Sequence, residues 1–346
     1  MRKRVAFIIA AVWCALSLLA GCTRTAGPDP EQGGDIRFRA ESALLRGAAA
    51  RADLKQGPTF VSGDEFIIFG LRHGGSPATE TLVFNGVTVR QGVSSLDYTP
   101  HRFWFWEGTS DWYDFVGVYP SDKGTVRMNI PGNLALSTHY DITLGDNYDL
   151  MASAYRRNGN VLNRNDRVPM AFSHMNSAVS VVFINNSEDK GVTLNSFSFT
   201  NLVVCGDLKA TLDNIGDPLL SWISTERSAA TVREVTPAQA IAAGSRYSGD
   251  FDLMIPQRLD QAVGAGGLEA NMPKLHLDYT PQGGSATQKI VSLKDVQRQD
   301  GTVITSWEPG IKYTYYLSIR LDGGVLVNLV TTEWDAVDAE TPGLLI

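Results

Sequence analysis

Short runs in which apolar and polar residues alternate recur along most of this 346-residue chain. Alternation sends successive side chains to opposite faces of an extended strand, so that one face can be buried while the other meets solvent. Between the runs stand Gly, Asn, Asp and Pro, which favour tight turns. Many short strands with few helical stretches predict an all-β fold of the sandwich type, because the apolar face of one sheet has to pack on another sheet.

The clearest strand signals are short apolar or alternating runs. They lie at 35–41, 66–70, 102–106, 113–119, 179–184, 192–200, 202–212 and 250–256. In the first of these runs, Ile36 and Phe38 share one face while two arginines occupy the other. That division predicts a half-buried strand at the start of the fold.

Two hairpins and one helix are also expected. Asn85-Gly86 separates two short apolar runs, and both positions of a type I′ turn need the positive φ that Asn and Gly adopt readily. A second hairpin is predicted where Asp322-Gly323-Gly324 joins the alternating residues of 313–321 and 325–329. The stretch 237–243 predicts a short helix capped by Thr236.

The first 21 residues predict an export signal. Basic residues at 2–4 precede the apolar run 5–20, whose length and flanks suit a secretory signal better than a membrane span. The run ends in Leu19-Ala20-Gly21-Cys22, which resembles the lipobox of bacterial lipoproteins, where the peptidase cuts before a cysteine that carries a diacylglyceryl group. We therefore expect lipidation at Cys22, and the alternative is an ordinary signal peptide with a chance cysteine.

Composition and polar stretches suggest how the mature chain is organised. Residues 22–34 have the Thr, Gly and Pro content of a flexible tether, and the polar run 185–191 is interpreted as a boundary between domains at 35–185 and 186–346. The formal charge is −7, and loss of 1–21 removes three of the 30 basic residues and none of the 37 acidic ones. This acidic balance argues against a nucleic-acid partner, which requires a basic face.

Catalytic and metal-binding signatures are absent from the sequence. The five histidines have no second His or Cys at ligand spacing, so no metal site and no cofactor are predicted. Cys205 is the one thiol left once Cys14 and Cys22 are accounted for, and its apolar neighbours suggest a small buried residue. We expect no catalytic residues and no enzymatic activity.

An aromatic cluster at 103–106 admits two interpretations. Alternation places Trp104 and Trp106 on one strand face and two phenylalanines on the other. Both faces are core if a loop or a second domain covers this strand. Otherwise Trp104 and Trp106 form a platform on which sugar rings stack, and the chain is a surface glycan-binding lipoprotein.

A series of motifs resembles the fimbrillin family, the type V pilins of Bacteroidales and their Mfa-like relatives. The motifs come in the family's order at 36–38, 51–52, 60–70, 112–120, 149–152, 172–179, 253–257 and 307–315. Each motif is weak alone, and the ordered set is specific. The resemblance implies two transthyretin-like β-sandwich domains after a lipoprotein signal peptide, and a structural or adhesive subunit at the outer membrane.

The resemblance also implies a route of maturation. A protease that cuts after arginine would release the lipidated first strand, which contains Ile36 and Phe38, and a strand of another fimbrial subunit would fill the vacated groove. Such a fibre would be a homopolymer or heteropolymer that adheres to host or bacterial surface ligands. Arg51, followed by Ala52, best matches the family's cleavage site, and Arg46 is the second candidate. The alternative is that these arginines only solubilise an Ala-rich connector.

The C-terminal end departs from the family's pattern. Residues 335–340 include three acidic residues, a Thr-Pro-Gly sequence follows, and 344–346 form the apolar end. Three extended residues span about 10 Å, which is shorter than a sandwich strand. Either 325–334 is part of a donor strand, or the chain is an anchor, a tip or a relative that does not polymerise in this way.

Overall fold

The computed structural model describes fifteen segments of the chain, which together carry nearly all of the predicted strands. They are residues 36–42, 60, 63–74, 79–91, 97–100, 106, 112–122, 136–142, 146–158, 167–211, 219–228, 238–262, 269–298, 300–320 and 324–333. Strands dominate these segments, and short 3-10 turns occur in them at Glu269–Asn271 and Leu293–Asp295. None of the described helices is long and apolar enough to cross a bilayer.

The first half of the chain forms a closed barrel. Its strands and one neighbouring strand are β1 (Phe38–Ser42), β2 (Glu65–Gly74), β3 (Thr79–Gln91), β4 (Asp97–Pro100), β5 (Trp112–Tyr119), β6 (Leu136–Asp141), β7 (Met151–Asn158) and β8 (Val168–His174). The barrel order is β1-β4-β3-β2-β5-β7-β8, and β6 is not a member. The short strand β1 closes the barrel, because it pairs with β4 on one side and with β8 on the other.

The second half contributes two facing sheets, most of a third, and the two-stranded sheet of β16 and β19. Its strands are β9 (Ser177–Asn185), β10 (Val192–Thr200), β11 (Leu202–Thr211), β12 (Leu219–Ser228), β13 (Gln239–Ile241), β14 (Arg246–Ser248), β15 (Asp252–Met254), β16 (Gln257–Arg258), β17 (Lys274–Pro281), β18 (Thr287–Ser292), β19 (Ser306–Trp307), β20 (Ile311–Ile319) and β21 (Val325–Glu333). The sheets β13-β10-β17-β18 and β14-β9-β20-β21 enclose one apolar core, and we call them the C-terminal sandwich.

A three-stranded sheet lies between the barrel and the C-terminal sandwich. Its order is β12-β11-β6, and because β6 comes from the first half of the chain, the two halves are joined by strand pairing. Leu208 and Ala210 of this bridging sheet share an apolar cluster with Phe69 and Val116 on the outside of the barrel. The indole of Trp222 also donates a hydrogen bond to the carbonyl of Met175, at 2.6 Å.

The strand predictions from alternation are confirmed where the structure describes them. Ile36, Phe38 and Ala40 are buried and the arginines between them are exposed, as period-two alternation requires. The predicted second hairpin is present as β20 and β21, which pair from Ile319–Val325 onward. The all-β fold class is therefore confirmed, whereas the transthyretin-like type of each domain remains a prediction. The strand at 102–106 lies outside the described residues apart from Trp106.

The hairpin predicted at Asn85-Gly86 is wrong. β3 runs straight through these residues, and its register against β2 shifts between the pairs Ile68–Val87 and Gly70–Phe84. Asn85 and Gly86 therefore form a β-bulge opposite Phe69, with Gly86 at a φ of 64°. A bulge of the kind that places glycine at positive φ and a type I′ turn both favour an Asn-Gly sequence, so the local sequence does not distinguish them.

The prediction of a helix at 237–243 is also wrong for the residues that the structure describes. Residues Gln239–Ile241 form β13 and pair with Val192–Leu194 of β10. A helix of two turns is marginal on its own, whereas the edge of β10 offers hydrogen-bond partners and a buried place for Ile241, which is 3% exposed.

The polar run 185–191 connects β9 and β10 within the C-terminal sandwich. The side-chain amide of Asn185 donates to the carbonyls of Lys190, Ile241 and Ala242 at 2.8–3.2 Å. These bonds order the connection, and β9 pairs with β20 in the second half. Domain bounds of 35–185 and 186–346 remain a prediction, and the change of sheet after β8 favours a division near Met175–Asn176.

Candidate functional site

The seam that β1 closes is the candidate functional site, and its inner face is apolar. Ile36, Phe38 and Ala40 are at most 1% exposed and belong to the core inside the barrel. The ring of Phe38 meets Phe84 and Phe115 edge to face, each with a centroid distance of 5.5 Å. Ile36 and Phe38, the predicted groove residues, therefore lie in the core of the barrel.

Backbone pairing at the seam is unequal on its two sides. β1 runs parallel to β8, with register partners from Phe38–Val168 to Ser42–Phe172, and just before β1 the amide of Val168 donates to the carbonyl of Arg37 at 2.7 Å. The antiparallel pairing with β4 is confined to Phe38 and Arg39. β8 pairs with its other neighbour, β7, only at Ser173 and His174. Residues 168–172 of β8 therefore have β1 as their strand partner.

The residues of β8 that receive β1 were not identified as groove residues from the sequence. Val168, Met170 and Phe172 are buried and alternate with less buried residues, which is the pattern of a strand with one face in the core. That alternation was available in the sequence, but it does not reveal which strand pairs with β1. Parallel pairing joins residues far apart in the chain, so it has no local turn signal.

The segment after β1 returns to the core at Phe60. This side chain is 3% exposed, and its ring lies 4.9 Å from Phe172 and 5.4 Å from Tyr119. Ala40 and Phe60 therefore fix two points in the barrel core, one on each side of 43–59. Arg46 and Arg51, the predicted cleavage positions, lie outside the described residues, as does Cys22.

A charged network lies at one end of three barrel strands. Asp114 of β5 is fully buried, accepts hydrogen bonds from Arg156 of β7 at 2.7 and 2.9 Å, and lies 2.8 Å from the ring of His73 of β2. Burial alone would raise the pKa of Asp114, but its hydrogen bonds to His73 and Arg156 outweigh burial and hold the pKa below its ordinary value. The network fixes β2, β5 and β7 relative to one another.

The aromatic cluster contributes to the core at the one position that is described. Trp106 is 6% exposed, stands edge to face against Tyr113 at 4.8 Å, and has the guanidinium of Arg157 at 4.3 Å from its ring centroid. This burial supports the core interpretation and argues against Trp106 as a sugar-stacking platform, because only 6% of the residue is exposed. Trp104 lies outside the described residues.

The architecture is that of an all-β protein with two cored units joined by a bridging sheet. A family model described as fimbrillin-like matches residues 50–334, which is most of the chain, so the chain belongs to the fimbrillin-like family. β1 precedes the matched residues. No curated protein shows significant similarity to the chain.

Several solved structures resemble this chain at low sequence identity. A protein of Bacteroides uniformis assigned to cell adhesion has 17% identity and a TM-score of 0.45, with 87% of this chain and 98% of that chain covered. The fimbrilin of Porphyromonas gingivalis has 10% identity and a TM-score of 0.42, covering 88% and 98%. A C-terminally truncated tip fimbrial protein of the same species has 11% identity and a TM-score of 0.41, covering 87% and 100%.

Proposed function

We propose that this chain is the precursor of a structural and adhesive fimbrial subunit, and that it assembles by exchange of its first strand. The observation that carries the proposal is the position of β1, which closes the barrel with a fully buried inner face while its pairing with β4 is short. Membership of the fimbrillin-like family supports the same function. We assign the protein no catalytic role.

Loss of β1 would create a site made for another strand. The edge of β8 would present unpaired N–H and C=O groups, and the core would lose the side chains of Ile36 and Phe38. Burying each of these two side chains stabilises the barrel by roughly 1.5–3 kcal/mol, and an incoming apolar strand would recover that free energy. Strand addition of this kind joins subunits head to tail, which produces a filament because the contact does not close.

Release of β1 is proposed to follow cleavage after Arg51 or Arg46. Both arginines stand between β1 and Phe60, so cutting there would separate β1 covalently from the rest of the barrel. Before cleavage, a lipid on Cys22 would hold the precursor at the outer membrane, and after cleavage the subunit would belong to the fimbrium. Partners would be other fimbrial subunits, the outer membrane and ligands on host or bacterial surfaces.

The pairing of β21 indicates which chain could supply the incoming strand. Residues Val325–Glu333 pair with β20 along their whole length. Using them as a donor would first require β21 to leave the C-terminal sandwich, which argues against 325–334 as a free donor strand. We therefore favour an anchor or tip subunit whose groove receives a strand from a different chain.

Treatment with an arginine-specific protease tests strand exchange. Cleaved protein mixed with a purified candidate subunit should form higher assemblies in size-exclusion chromatography, and the fragment that contains Ile36 and Phe38 should elute separately. The double change Arg46→Ala with Arg51→Ala should prevent both effects. A cleaved monomer that keeps its first strand would show that this groove does not exchange.

A disulfide between β1 and β8 provides the matched control. Arg39 and Pro169 are register partners in the parallel pair, at a spacing that a disulfide can bridge. In Arg39→Cys with Pro169→Cys, the oxidised protein should be cut but remain monomeric, and reduction should restore assembly. Assembly of the oxidised form would show that the subunits associate at another surface.

Membrane attachment requires its own test. Cys22→Ser should release the protein from the membrane fraction, because stable anchoring depends on several buried acyl chains at about 0.8 kcal/mol per CH₂. Labelled fatty acid should enter the wild-type protein and not the variant. Absence of label from the wild type would favour an ordinary signal peptide.

A further inference from the structure

Three side chains with metal-binding atoms converge on the bridging sheet. His139 and Asp141 are two residues apart in β6, and Cys205 is the register partner of Asp141 in β11. The ligand atoms of these three residues all lie within 4.8 Å of one another. The sulfur of Cys205 is 3.4 Å from Nε2 of His139.

A second carboxylate orients the histidine. Nδ1 of His139 lies 2.9 Å from Oδ1 of Asp207, its cross-strand neighbour in β11. An ionised carboxylate only accepts hydrogen bonds, so Nδ1 is the donor in this contact, and a neutral imidazole then directs the lone pair of Nε2 towards Cys205. A histidine that ligates a metal through one nitrogen while donating its other N–H to a carboxylate is a recurrent arrangement in metal proteins.

The strand geometry around Cys205 is irregular in a way that supports a site. The register between β11 and β12 shifts on both sides of Cys205, between Val203 and Cys205 and again between Cys205 and Gly206. β-bulges of this kind redirect a side chain and are common beside functional sites. Cys205 is 8% exposed, whereas half of the His139 side chain is exposed, so an ion can reach the donors from the solvent side.

The donor set selects the ion. One thiolate, one imidazole and one carboxylate suit Zn²⁺, which binds sulfur at about 2.3 Å and nitrogen or oxygen at about 2.0 Å in tetrahedral geometry. Tetrahedral bonds of those lengths separate ligand atoms by about 3.5 Å. Cys205 and His139 already have that spacing, and Asp141 needs a shift of at most about 1.5 Å, because all three ligand atoms lie within 4.8 Å of one another.

We propose that His139, Asp141 and Cys205 form a zinc site on the bridging sheet, with Asp207 as the carboxylate that orients His139. Three protein ligands leave the fourth position of the ion for water or for a donor atom of another molecule. Because β6 and β11 come from different halves of the chain, the ion links the two halves. Binding to the folded state alone also stabilises the protein by mass action.

Spectroscopy of the full chain tests the site without any substitution. Chelator-treated protein titrated with Co²⁺ should bind one ion and develop the near-ultraviolet charge-transfer band of a cobalt–thiolate bond, and Zn²⁺ should abolish that band. Calorimetric titration with ZnCl₂ should give the same stoichiometry. Absence of the cobalt–thiolate band would overturn the proposal.

Substitutions then assign the ligands. Cys205→Ser, His139→Gln and Asp141→Asn should each weaken Zn²⁺ binding by about 10-fold or more, and Asp207→Asn by about 10–100-fold, as for other orienting carboxylates. His276→Gln is the matched control, because His276 contacts Thr200 on another sheet and should leave binding unchanged. Equal loss in His276→Gln, or undiminished binding in Cys205→Ser, would show that zinc binds elsewhere.

Thiol chemistry distinguishes zinc binding from a simple thiol–imidazole pair. Alkylation of Cys205 by iodoacetamide should be slow in the zinc-loaded protein and faster after chelation. Rapid alkylation with no protection by Zn²⁺ would overturn the proposal and identify a reactive thiol activated by His139. Circular dichroism of each variant without metal checks that the bridging sheet remains folded.

Discussion

Among the described strands, the barrel and the C-terminal sandwich each contain one pair of parallel strands, but the two pairs are held differently. In the barrel, residues 38–42 of β1 pair with β8, and only Phe38 and Arg39 also pair with β4. In the sandwich, residues 312–319 of β20 pair with β9, and β21 covers the other side of β20 from end to end. The same type of pairing is thus short and peripheral in one unit and long and enclosed in the other.

The difference shows what makes a strand replaceable. β1 is the first strand in the part of the chain that the structure describes, and the segment that follows it contains two arginines, so one cut there separates β1 covalently from the rest of the barrel. β20 lies between two long neighbours in the middle of a sheet, and its removal would break the core of the sandwich. Two strands that are equally buried can therefore differ in how easily they are removed from the fold.

The largest expected effects come from matched truncations in the two parallel pairs. Phe38→Ala should lower the free energy of unfolding by about 3–5 kcal/mol, and Leu317→Ala by about 2–5 kcal/mol, since both side chains are fully buried. The two variants should lose hydrogen-exchange protection in different parts of the protein. By hydrogen exchange, Phe38→Ala should deprotect the amides of 168–172 while β9 stays protected, whereas Leu317→Ala should deprotect β9.

Arg39→Ala is the control for these truncations, because Arg39 lies on the exposed face of the same strand. It should leave the protection of β8 nearly unchanged. If Phe38→Ala and Leu317→Ala deprotect both units equally, the barrel seam does not open separately and the comparison fails.

The barrel and the second half also differ in how far their ion pairs are buried. The barrel buries Asp114 between His73 and Arg156, whereas the ion pair Arg258–Asp260 of the second half is largely exposed. Asp114→Asn should destabilise the protein by roughly 3 kcal/mol, the lower end of the range for a broken buried pair, because Arg156 keeps 21% exposure. Asp260→Asn should not measurably change the midpoint of a denaturant titration.

Lowering the pH should reduce the stability that the Asp114 network contributes. The folded-state pKa of Asp114 lies below its unfolded value, so its contribution is present above the unfolded-state pKa of about 3.9 and is lost as the pH falls through the folded-state pKa. The difference in melting temperature between wild type and Asp114→Asn should therefore shrink between pH 6 and pH 3. A constant difference would assign the effect to packing.

The sequence predicts many single strands, including β1 and β11 but not β6 or β8, and it predicts strand partners poorly. Burial of Ile36, Phe38 and Ala40 follows directly from alternation, because side-chain direction in a strand is a local property. The parallel pairing of β1 with β8 has no local signal. The polar composition of residues 185–191 predicts a domain boundary, but a hydrogen-bonded connection within one sandwich has a similar composition, so composition alone does not locate the boundary.

The proposed zinc site was missed for the same reason. His139 and Cys205 are 66 positions apart, and metal-binding motifs are recognised from ligands that are close in sequence. Only the pairing of β6 with β11 brings His139, Asp141 and Cys205 together. Sequence reasoning therefore predicted β1 and β11, but it predicted neither β6 and β8 nor the strand pairings that assemble the candidate sites.

The smallest expected effect tests the bulge that replaced the predicted hairpin. Gly86 of the barrel and Gly244 of the sandwich have nearly identical φ values, 64° and 65°, so alanine at either position should cost about 1–2 kcal/mol of backbone strain. A reduced unfolded-state entropy should offset about 0.4–1 kcal/mol of that cost in both variants. The surroundings differ, since a Cβ at Gly86 would lie 3.2 Å from the ring of Phe69, whereas nothing lies within 4 Å at Gly244.

Gly86→Ala should therefore be more destabilising than Gly244→Ala, by an amount that reports how firmly Phe69 is held. Phe69 is 2% exposed and packs between the barrel and the bridging sheet, so it has little room to move. Denaturant titrations of the two variants give the difference directly. If the two free energies of unfolding fall equally, Phe69 yields to the added methyl group, and the contact between barrel and bridging sheet is looser than the packing of either core.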